Sequence, residues 1–258
     1  MKVYILTDLE GPAGVACWDQ TRVDESPKKS VAMELLTKEI NACVDGILDF
    51  DSKAEVIVWD GHGSGGIDVR LFHKKAKLLF GKGFQRPTGM DETFDALMFV
   101  GQHAMAGTPN APLCHTYSSR TVEYYKLNGD PIGEFGCRAV MAGLFGVPTI
   151  FLAGDDKACA EAEAFVPGIV TVPVKIGMGE QAALHLSPKE ARRRIRKAAK
   201  RACARIGKIE PKRVEPPYEF EIRLREGQSI EGHLARGAEK IDDRTCVYRT
   251  DDYLTLPV

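Results

Sequence analysis

Four side chains that can hold a metal ion come directly after three short apolar runs of the sequence. Asp8 and Glu10 come after the first run, His62 after the second and His103 after the third. A nearby glycine in each segment lets the backbone turn tightly. Carboxylates and imidazoles together suit zinc, and manganese or cobalt could substitute for it. The pattern predicts a metal site if the three runs end at the same place in the fold.

Asp8 and Glu10 are two residues apart, so both side chains point to one side of an extended segment. Two carboxylates held this close repel each other unless a cation lies between them. The alternative is a turn or helix cap at Asp8 with Glu10 in solvent. Two histidines at matching strand ends favour the metal site.

Charge balance calls for a further ligand if the site holds two divalent ions. Their four positive charges exceed the two negative charges of Asp8 and Glu10, and a third carboxylate with a bridging hydroxide would neutralise the cluster. Glu134 is the candidate, because it lies between glycines where a turn enters a predicted helix. A carboxylate favoured by the helix macrodipole is an equally good interpretation of Glu134, so both stay open here.

His115 lies in an irregular segment after His103 and could act as an acid or base near neutral pH. The alternative is an exposed loop histidine. Cys114 beside it is interpreted as a packing residue, since adjacent side chains point apart. Asp155 and Asp156 also come after an apolar run, but they precede a helical pattern and are interpreted as a cap.

The apolar runs alternate with helical patterns, which predicts an α/β fold. Strands are predicted at residues 3–6, 56–59, 96–100 and 149–153. Helices are predicted after Ser26, over residues 138–145, and from the capping box at Ser187 to about residue 206. Ligands of such sheets bind at the carboxyl ends of the strands, where the metal-binding candidates lie.

A hairpin over residues 122–132, turning at Asn128-Gly129, and a strand at 219–224 are expected as antiparallel additions to the sheet. The predicted architecture is a three-layer, mostly parallel mixed sheet flanked by helices, with a smaller intertwined subdomain. Residues 1–258 are predicted to form a single α/β catalytic domain, or two intertwined subdomains of which the second includes about 207–258.

The charges are balanced, with 35 basic and 36 acidic residues, so no overall field favours nucleic acid or membranes as partners. A basic helix predicted over residues 189–206 has an apolar face and is interpreted as a solvated amphipathic helix. No stretch approaches the roughly 18 apolar residues of a membrane span. Seven cysteines without a C-x-x-C pair and the lack of a signal sequence predict free thiols in the cytoplasm.

In order and spacing, these segments resemble the DppA-type D-aminopeptidases. The resemblance rests on residues 7–11, His62, residues 101–104, the loop 108–115, and residues 128–136, with further matches at 154–156 and 186–188. It extends from residue 2 to about 225 and more loosely beyond. Each motif alone is modest, but the ordered set is specific.

The resemblance implies a dinuclear zinc peptidase with two Zn²⁺ ions per chain. Asp8 would bridge both ions, Glu10 and His62 would complete one coordination shell, and His103 and Glu134 would complete the other. His115 would be the catalytic acid or base. Family members assemble into ring-shaped homo-oligomers and act on short peptides with a free amino terminus.

We therefore expect a zinc-dependent aminopeptidase that hydrolyses short peptides, D-amino-acid-containing ones in particular, through a metal-bridging hydroxide. The alternatives are another dinuclear hydrolase, such as a phosphoesterase, or a non-catalytic metal-binding protein. A charge-neutral cluster has no standing attraction for phosphate, and basic residues near the predicted site are sparse: Arg120, Lys126 and Arg138. Both points argue against the phosphoesterase.

Overall fold

The computed structural model describes residues 1–22, 26–81, 83–84 and 86–258. The strands are β1 (Lys2–Thr7), β2 (Glu55–Asp60), β3 (Lys77–Leu79), β4 (Ala96–Gln102), β5 (Val122–Leu127), β6 (Asp130–Pro131), β7 (Thr149–Asp155), β8 (Val170–Gly179), β9 (Ala182–His185), β10 (Tyr218–Leu224), β11 (Glu239–Lys240) and β12 (Thr245–Thr250). The α-helices are α1 (Pro27–Phe50), α2 (Glu134–Leu144), α3 (Asp156–Phe165), α4 (Pro188–Cys203) and α5 (Glu231–Leu234). Short 3₁₀ turns lie at Trp18–Gln20 and Tyr253–Thr255.

A seven-stranded sheet in the order β3-β2-β1-β4-β7-β8-β9 forms the centre of the fold. Its strands are parallel except for β9, which runs antiparallel to β8. Strands β4 and β7 are buried along their whole length, as expected for parallel strands covered on both faces. The predicted α/β fold with a mostly parallel mixed sheet is confirmed.

Helices cover this sheet on two sides. Helix α1 connects β1 to β2, and α3 connects β7 to β8, and these connections move in opposite directions along the sheet. Because such crossovers are right-handed, α1 and α3 lie on opposite faces. Helix α4 packs on α1, and α2 contacts α3. The result is the three-layer arrangement expected from the sequence.

Local signals explain where the two longest helices begin. The Ser26 hydroxyl accepts a hydrogen bond from the Lys28 amide at the start of α1, and the Ser187 hydroxyl accepts one from the Glu190 amide at the start of α4. A proline comes after each cap. The Glu190 carboxylate itself accepts from the side chain of Arg193. Helix α4 buries its apolar face and exposes most of its basic residues.

The hairpin and the C-terminal strand do not extend the parallel sheet, so that prediction was wrong. They form a separate five-stranded antiparallel sheet in the order β11-β12-β10-β5-β6. The sequence pattern showed that these segments are strands but not which strand each would pair with, because pairing is made by backbone groups common to all residues. The domain division stays a prediction; the second sheet takes strands from both sides of the boundary near residue 207.

Helix α2 lies between the two sheets. Phe135, Ala139 and Ala142 belong to the main hydrophobic core, whereas Cys137 and Val140 belong to the core of the second sheet. Packing on both sides fixes the orientation of this helix and of Glu134 at its first position. The helix begins four residues before the predicted residue 138, at a position without a side-chain cap.

The topology leaves a switch point between β1 and β4. Strand β1 pairs with β2 on one side and with β4 on the other, and the chain crosses over in opposite directions from this point. The carboxyl ends of such a pair of strands form the crevice in which α/β proteins bind ligands. None of the described helices combines the length and apolar character that a membrane crossing requires.

Candidate metal centre

The six residues singled out in the sequence meet at this switch point. Asp8 and Glu10 come after β1, His62 after β2 and His103 after β4. Glu134 comes from the first turn of α2, and His115 from the loop between β4 and β5. The first four residues meet because parallel strands end at one edge, as the sequence pattern predicted, and the helix and the loop bring Glu134 and His115 to the same place. Their individual functions stay predictions, and the geometry of the donor atoms supports them.

The carboxylate of Asp8 lies between two histidines. Its Oδ1 is 3.0 Å from Nδ1 of His62, and its Oδ2 is 3.1 Å from Nε2 of His103. Glu10 Oε2 lies 3.3 Å from the same His62 nitrogen, and Glu134 Oε1 lies 3.5 Å from the same His103 nitrogen. The donor atoms therefore form two groups of three that share Asp8.

The separations of 3.0–3.5 Å are compatible with ligand atoms that share a metal ion. Two ligand atoms bound to one tetrahedral zinc lie ~3.3 Å apart, given metal–ligand distances of about 2.0–2.1 Å. Glu10 Oε2 and His103 Nε2 are fully buried, yet neither makes a hydrogen bond within the described part of the chain. Buried polar atoms are rarely left without a partner. Glu10 Oε2 belongs to the first donor group and His103 Nε2 to the second, and nitrogen and carboxylate donors are those that zinc selects.

The other ring nitrogen of each histidine faces a backbone carbonyl. Nε2 of His62 donates to Thr21 O at 3.1 Å, and Nδ1 of His103 donates to Ala104 O at 2.9 Å. This arrangement leaves the site-facing nitrogen with its lone pair when the ring is neutral. Metal-binding histidines are usually oriented in this way.

The charges of the cluster favour bound cations. Burial alone would lower the pKa of His62, but the charge of Glu10 and the close approach of the Asp8 and Glu10 carboxylates raise it to about 11. Burial alone would raise the pKa of Glu134, but contact with His103 lowers it to about 2. The carboxylates can be balanced by protons on the imidazoles or by metal ions that replace them, so metal binding should release protons.

His115 lies against the second group of donors. Its ring stacks on that of His103 with centroids 4.0 Å apart, and its Nε2 is 3.7 Å from Glu134 Oε1. Burial and the charge of His103 lower the pKa of His115 below its ordinary value. Position alone permits two functions: His103, His115 and Glu134 are close enough to share one ion, and a neutral His115 can also move a proton.

Two glycines set the distance between the β1 and β4 loops. The Gly11 amide donates to Gly101 O at 2.7 Å. A Cβ on Gly11 would lie 2.1 Å from the Gly101 carbonyl carbon, and a Cβ on Gly101 would lie 2.0 Å from the Asp8 carbonyl oxygen. Gly101 also has a φ of +82°, which side chains disfavour. Only glycine at both positions allows Asp8 and His103 to approach this closely.

Buried charges hold the loop that carries Glu10. The ammonium of Lys175, on β8, donates to the backbone oxygen of Glu10 and, at 2.6 Å, to that of Val15. Burial lowers the pKa of Lys175 to about 8. Glu39, on α1, accepts from the Ala13 amide at 3.0 Å. Sequence reasoning missed both residues; a single lysine within an apolar strand was the available signal.

A cavity of about 400 Å³ opens beside the donor atoms. It is lined by Asp8, Glu10, His62 and Glu134, and also by Arg22, Arg120 and Arg138. Two of the three basic residues named from the sequence, Arg120 and Arg138, thus line the cavity, and no sequence signal indicated the third, Arg22. Arg138 lies on α2, and the other two arginines lie in loops far apart in the sequence. Lys126 instead pairs with Glu221, 3.4 Å away on the second sheet.

The residues set aside in the sequence have structural functions. The Asp155 carboxylate caps α3 by accepting from the amides of Lys157 and Ala158. Asp156 accepts from the Gly177 amide at 2.8 Å. Cys114 lies 3.6 Å from Thr108 O, and all seven cysteines are free thiols.

The fold and the site together define an α/β protein with a candidate metal centre at the switch point of its sheet. The M55 peptidase family, described as D-aminopeptidase, matches residues 1–257. A D-aminopeptidase of Bacillus subtilis (strain 168) is 34% identical over 262 residues, which cover 98% of this chain and 93% of the relative. The chain therefore belongs to the M55 family of D-aminopeptidases, and the family indicated by the sequence is confirmed.

A solved structure agrees with this assignment. It is that of the Zn-dependent D-aminopeptidase DppA from Bacillus subtilis, described as a self-compartmentalizing protease. The similarity has a TM-score of 0.92 at 28% identity and covers 99% of this chain and 93% of that chain. The whole fold, including both sheets, is thus common to the two proteins.

Proposed function

We propose that this chain is a zinc-dependent aminopeptidase that removes the amino-terminal residue, in particular a D-residue, from short peptides. The observation that carries the proposal is the pair of donor groups sharing Asp8, with His115 stacked beside them. Membership in the D-aminopeptidase family supports the reaction class. We further propose two zinc ions per chain, one for each donor group.

The residues would divide the work between holding metal and moving a proton. Asp8, Glu10 and His62 would hold one ion, and Asp8 with His103 and Glu134 would hold the other. Zinc, when bound, lowers the pKa of a coordinated water and polarises the scissile carbonyl. Nδ1 of His115 is held by Leu113 O at 2.9 Å. Its Nε2 therefore faces the site with a lone pair, and can take a proton from the attacking water and pass it to the leaving amine.

The test of this proposal is the free amino terminus. We expect hydrolysis of D-alanylglycine and a loss of most of the rate after N-acetylation, because the acetylated nitrogen can no longer serve as an uncharged amine ligand. The L-alanyl isomer, assayed in parallel, measures stereospecificity. Rates are measured by release of the free amino acid in zinc-loaded protein.

The arginines that line the cavity could also bind an anionic substrate. Hydrolysis of p-nitrophenyl phosphate is therefore measured in the same experiment. Strong hydrolysis of this ester with no cleavage of either free-amine peptide would replace the aminopeptidase with a phosphoesterase. Equal cleavage of acetylated and free peptides would instead contradict binding of the peptide's free amine at the metal site.

We also propose a homo-oligomer, ring-shaped as the sequence resemblance implies. Support comes from the solved relative, described as self-compartmentalizing, and from exposed apolar side chains on the β8–β9 hairpin, where Met178 and Leu184 are 67% and 62% exposed. Light scattering at micromolar concentration should give a mass several times that of the chain, and a monomer alone would contradict the assembly.

The free thiols support the cytoplasm as the compartment we propose.

A further inference from the structure

The cavity beside the donor atoms contains positive charge that the proposed chemistry does not use. Arg22, Arg120 and Arg138 all line it. Among the residues that the structure describes, none of the three forms an ion pair with a carboxylate. Arginines this close to a substrate cavity without an acidic partner are available to bind an anionic group of the substrate, because the guanidinium fork matches a carboxylate in two hydrogen bonds.

Arg138 is the member nearest the metal ligands along the chain. It lies four residues after Glu134 on α2, so its Cβ is about 5–6 Å from that of Glu134 on the same helix face. Its guanidinium carbon lies 5.0 Å from the ring centre of Trp59 and 5.6 Å from that of Tyr117. The rings orient the guanidinium without neutralising its charge.

Arg22 and Arg120 add positive charge to the same cavity. The guanidinium of Arg22 stacks 3.3 Å from the ring centre of Trp18, which in turn contacts His115 edge-on. The Nε of Arg22 is buried and makes no hydrogen bond to any described residue. Burial and the charge of Arg120 lower the pKa of Arg22, as expected for two cations that line one cavity. A bound anion would relieve their repulsion.

We propose that Arg138, with Arg22 and Arg120, binds a carboxylate of the peptide while its free amine lies at the metal ligands, so that the enzyme selects di- and tripeptides by their C-terminal carboxylate. The inference rests on the proposed function and adds the substrate's second anchor. A peptide residue spans about 3.3–3.6 Å, and the arginines line the same cavity as the donor atoms, so the carboxylate meets them only when few residues separate it from the amine. Longer peptides would carry their carboxylate past the arginines.

Three substrates separate the sources of the carboxylate. D-alanylglycine has a C-terminal carboxylate, D-alanylglycinamide has none, and the α-amide of D-alanylaspartate has one only on its side chain. For the unmodified enzyme, we expect amidation of D-alanylglycine to lower kcat/KM by about 10- to 100-fold, the range for hydrogen bonds to a charged group. The acid-to-amide ratio is kcat/KM for D-alanylglycine divided by kcat/KM for D-alanylglycinamide. In Arg138→Met this ratio should fall towards one, and Arg120→Met should lower it less.

Arg213→Met is the matched control, because this exposed arginine lies in the loop before β10 and should keep the full ratio. Zinc content and thermal unfolding establish that each variant is folded. If Arg138→Met does not fold, the ratios of Arg138→Lys and Arg120→Met decide: unchanged discrimination in both overturns the inference.

Equal rates on D-alanylglycine and its amide in the unmodified enzyme would also overturn it, while leaving the aminopeptidase intact. No cleavage of any peptide would mean that the proposed function itself has failed. Rapid cleavage of the aspartyl amide, lost in Arg138→Met, would support carboxylate binding by the arginines and assign the side chain as its source.

Discussion

Asp8→Ala should lose most of both metal equivalents and almost all peptidase activity. The two oxygens of Asp8 face His62 and His103 at 3.0 and 3.1 Å, so one substitution removes a ligand from each donor group. Changes to residues that merely support metal ligands cost about 10- to 100-fold in metal affinity, and loss of a shared ligand should cost more. Elemental analysis after dialysis against buffered zinc measures the occupancy.

Two single-histidine variants make this result interpretable. His62→Ala and His103→Ala should each retain more metal than Asp8→Ala, since each removes a ligand from one group alone. Asp251→Ala is the control, because this carboxylate is exposed and remote in sequence from the site. Full metal content in Asp8→Ala would show that Asp8 does not bridge two ions. Glu10 and Glu134 would then bind metal without it.

His115→Ala should retain both metal equivalents and lose about 10²- to 10⁴-fold in kcat, the range for a general acid or base. The ring is held by Leu113 O, and burial and the charge of His103 lower its pKa. A neutral imidazole beside the donor groups can accept and return a proton. Rates on D-alanylglycine and elemental analysis on the same preparation provide the comparison.

The two measurements distinguish the two functions that position permits for His115. Loss of one metal equivalent would make it a ligand, in line with its closeness to His103 and Glu134. Retained metal with normal turnover would exclude both functions. His73→Ala is a suitable control, because this histidine lies between β2 and β3, where its Nε2 is 3.3 Å from the Asp45 carboxylate on α1.

Much of the site could be predicted from the sequence because its parts are local motifs attached to strand ends. Apolar runs mark buried parallel strands, and the residues directly after each run lie at one edge of the sheet. This reasoning led from the residues alone to Asp8, Glu10, His62 and His103. Glu134 and His115 lie on no strand end; residue chemistry left each with two interpretations, and the family resemblance favoured the functional one.

The structure decided everything that depends on contacts between distant parts of the chain. Adjacency of β1 and β4 places Asp8 against His103, and only glycine at positions 11 and 101 permits that approach. The separate antiparallel sheet fixes α2 from its second side.

The sequence by itself determined the α/β fold class, the family and the candidate ligands, since these depend on hydrophobic periodicity and residue chemistry over a few positions. Tertiary structure alone brought Arg22, Arg120 and Arg138 into one cavity and placed Lys175 under the Glu10 loop. Charges such as these have no local periodicity. Their proximity results from strand pairing and helix packing between segments far apart in the chain, which a pattern of neighbouring residues does not encode.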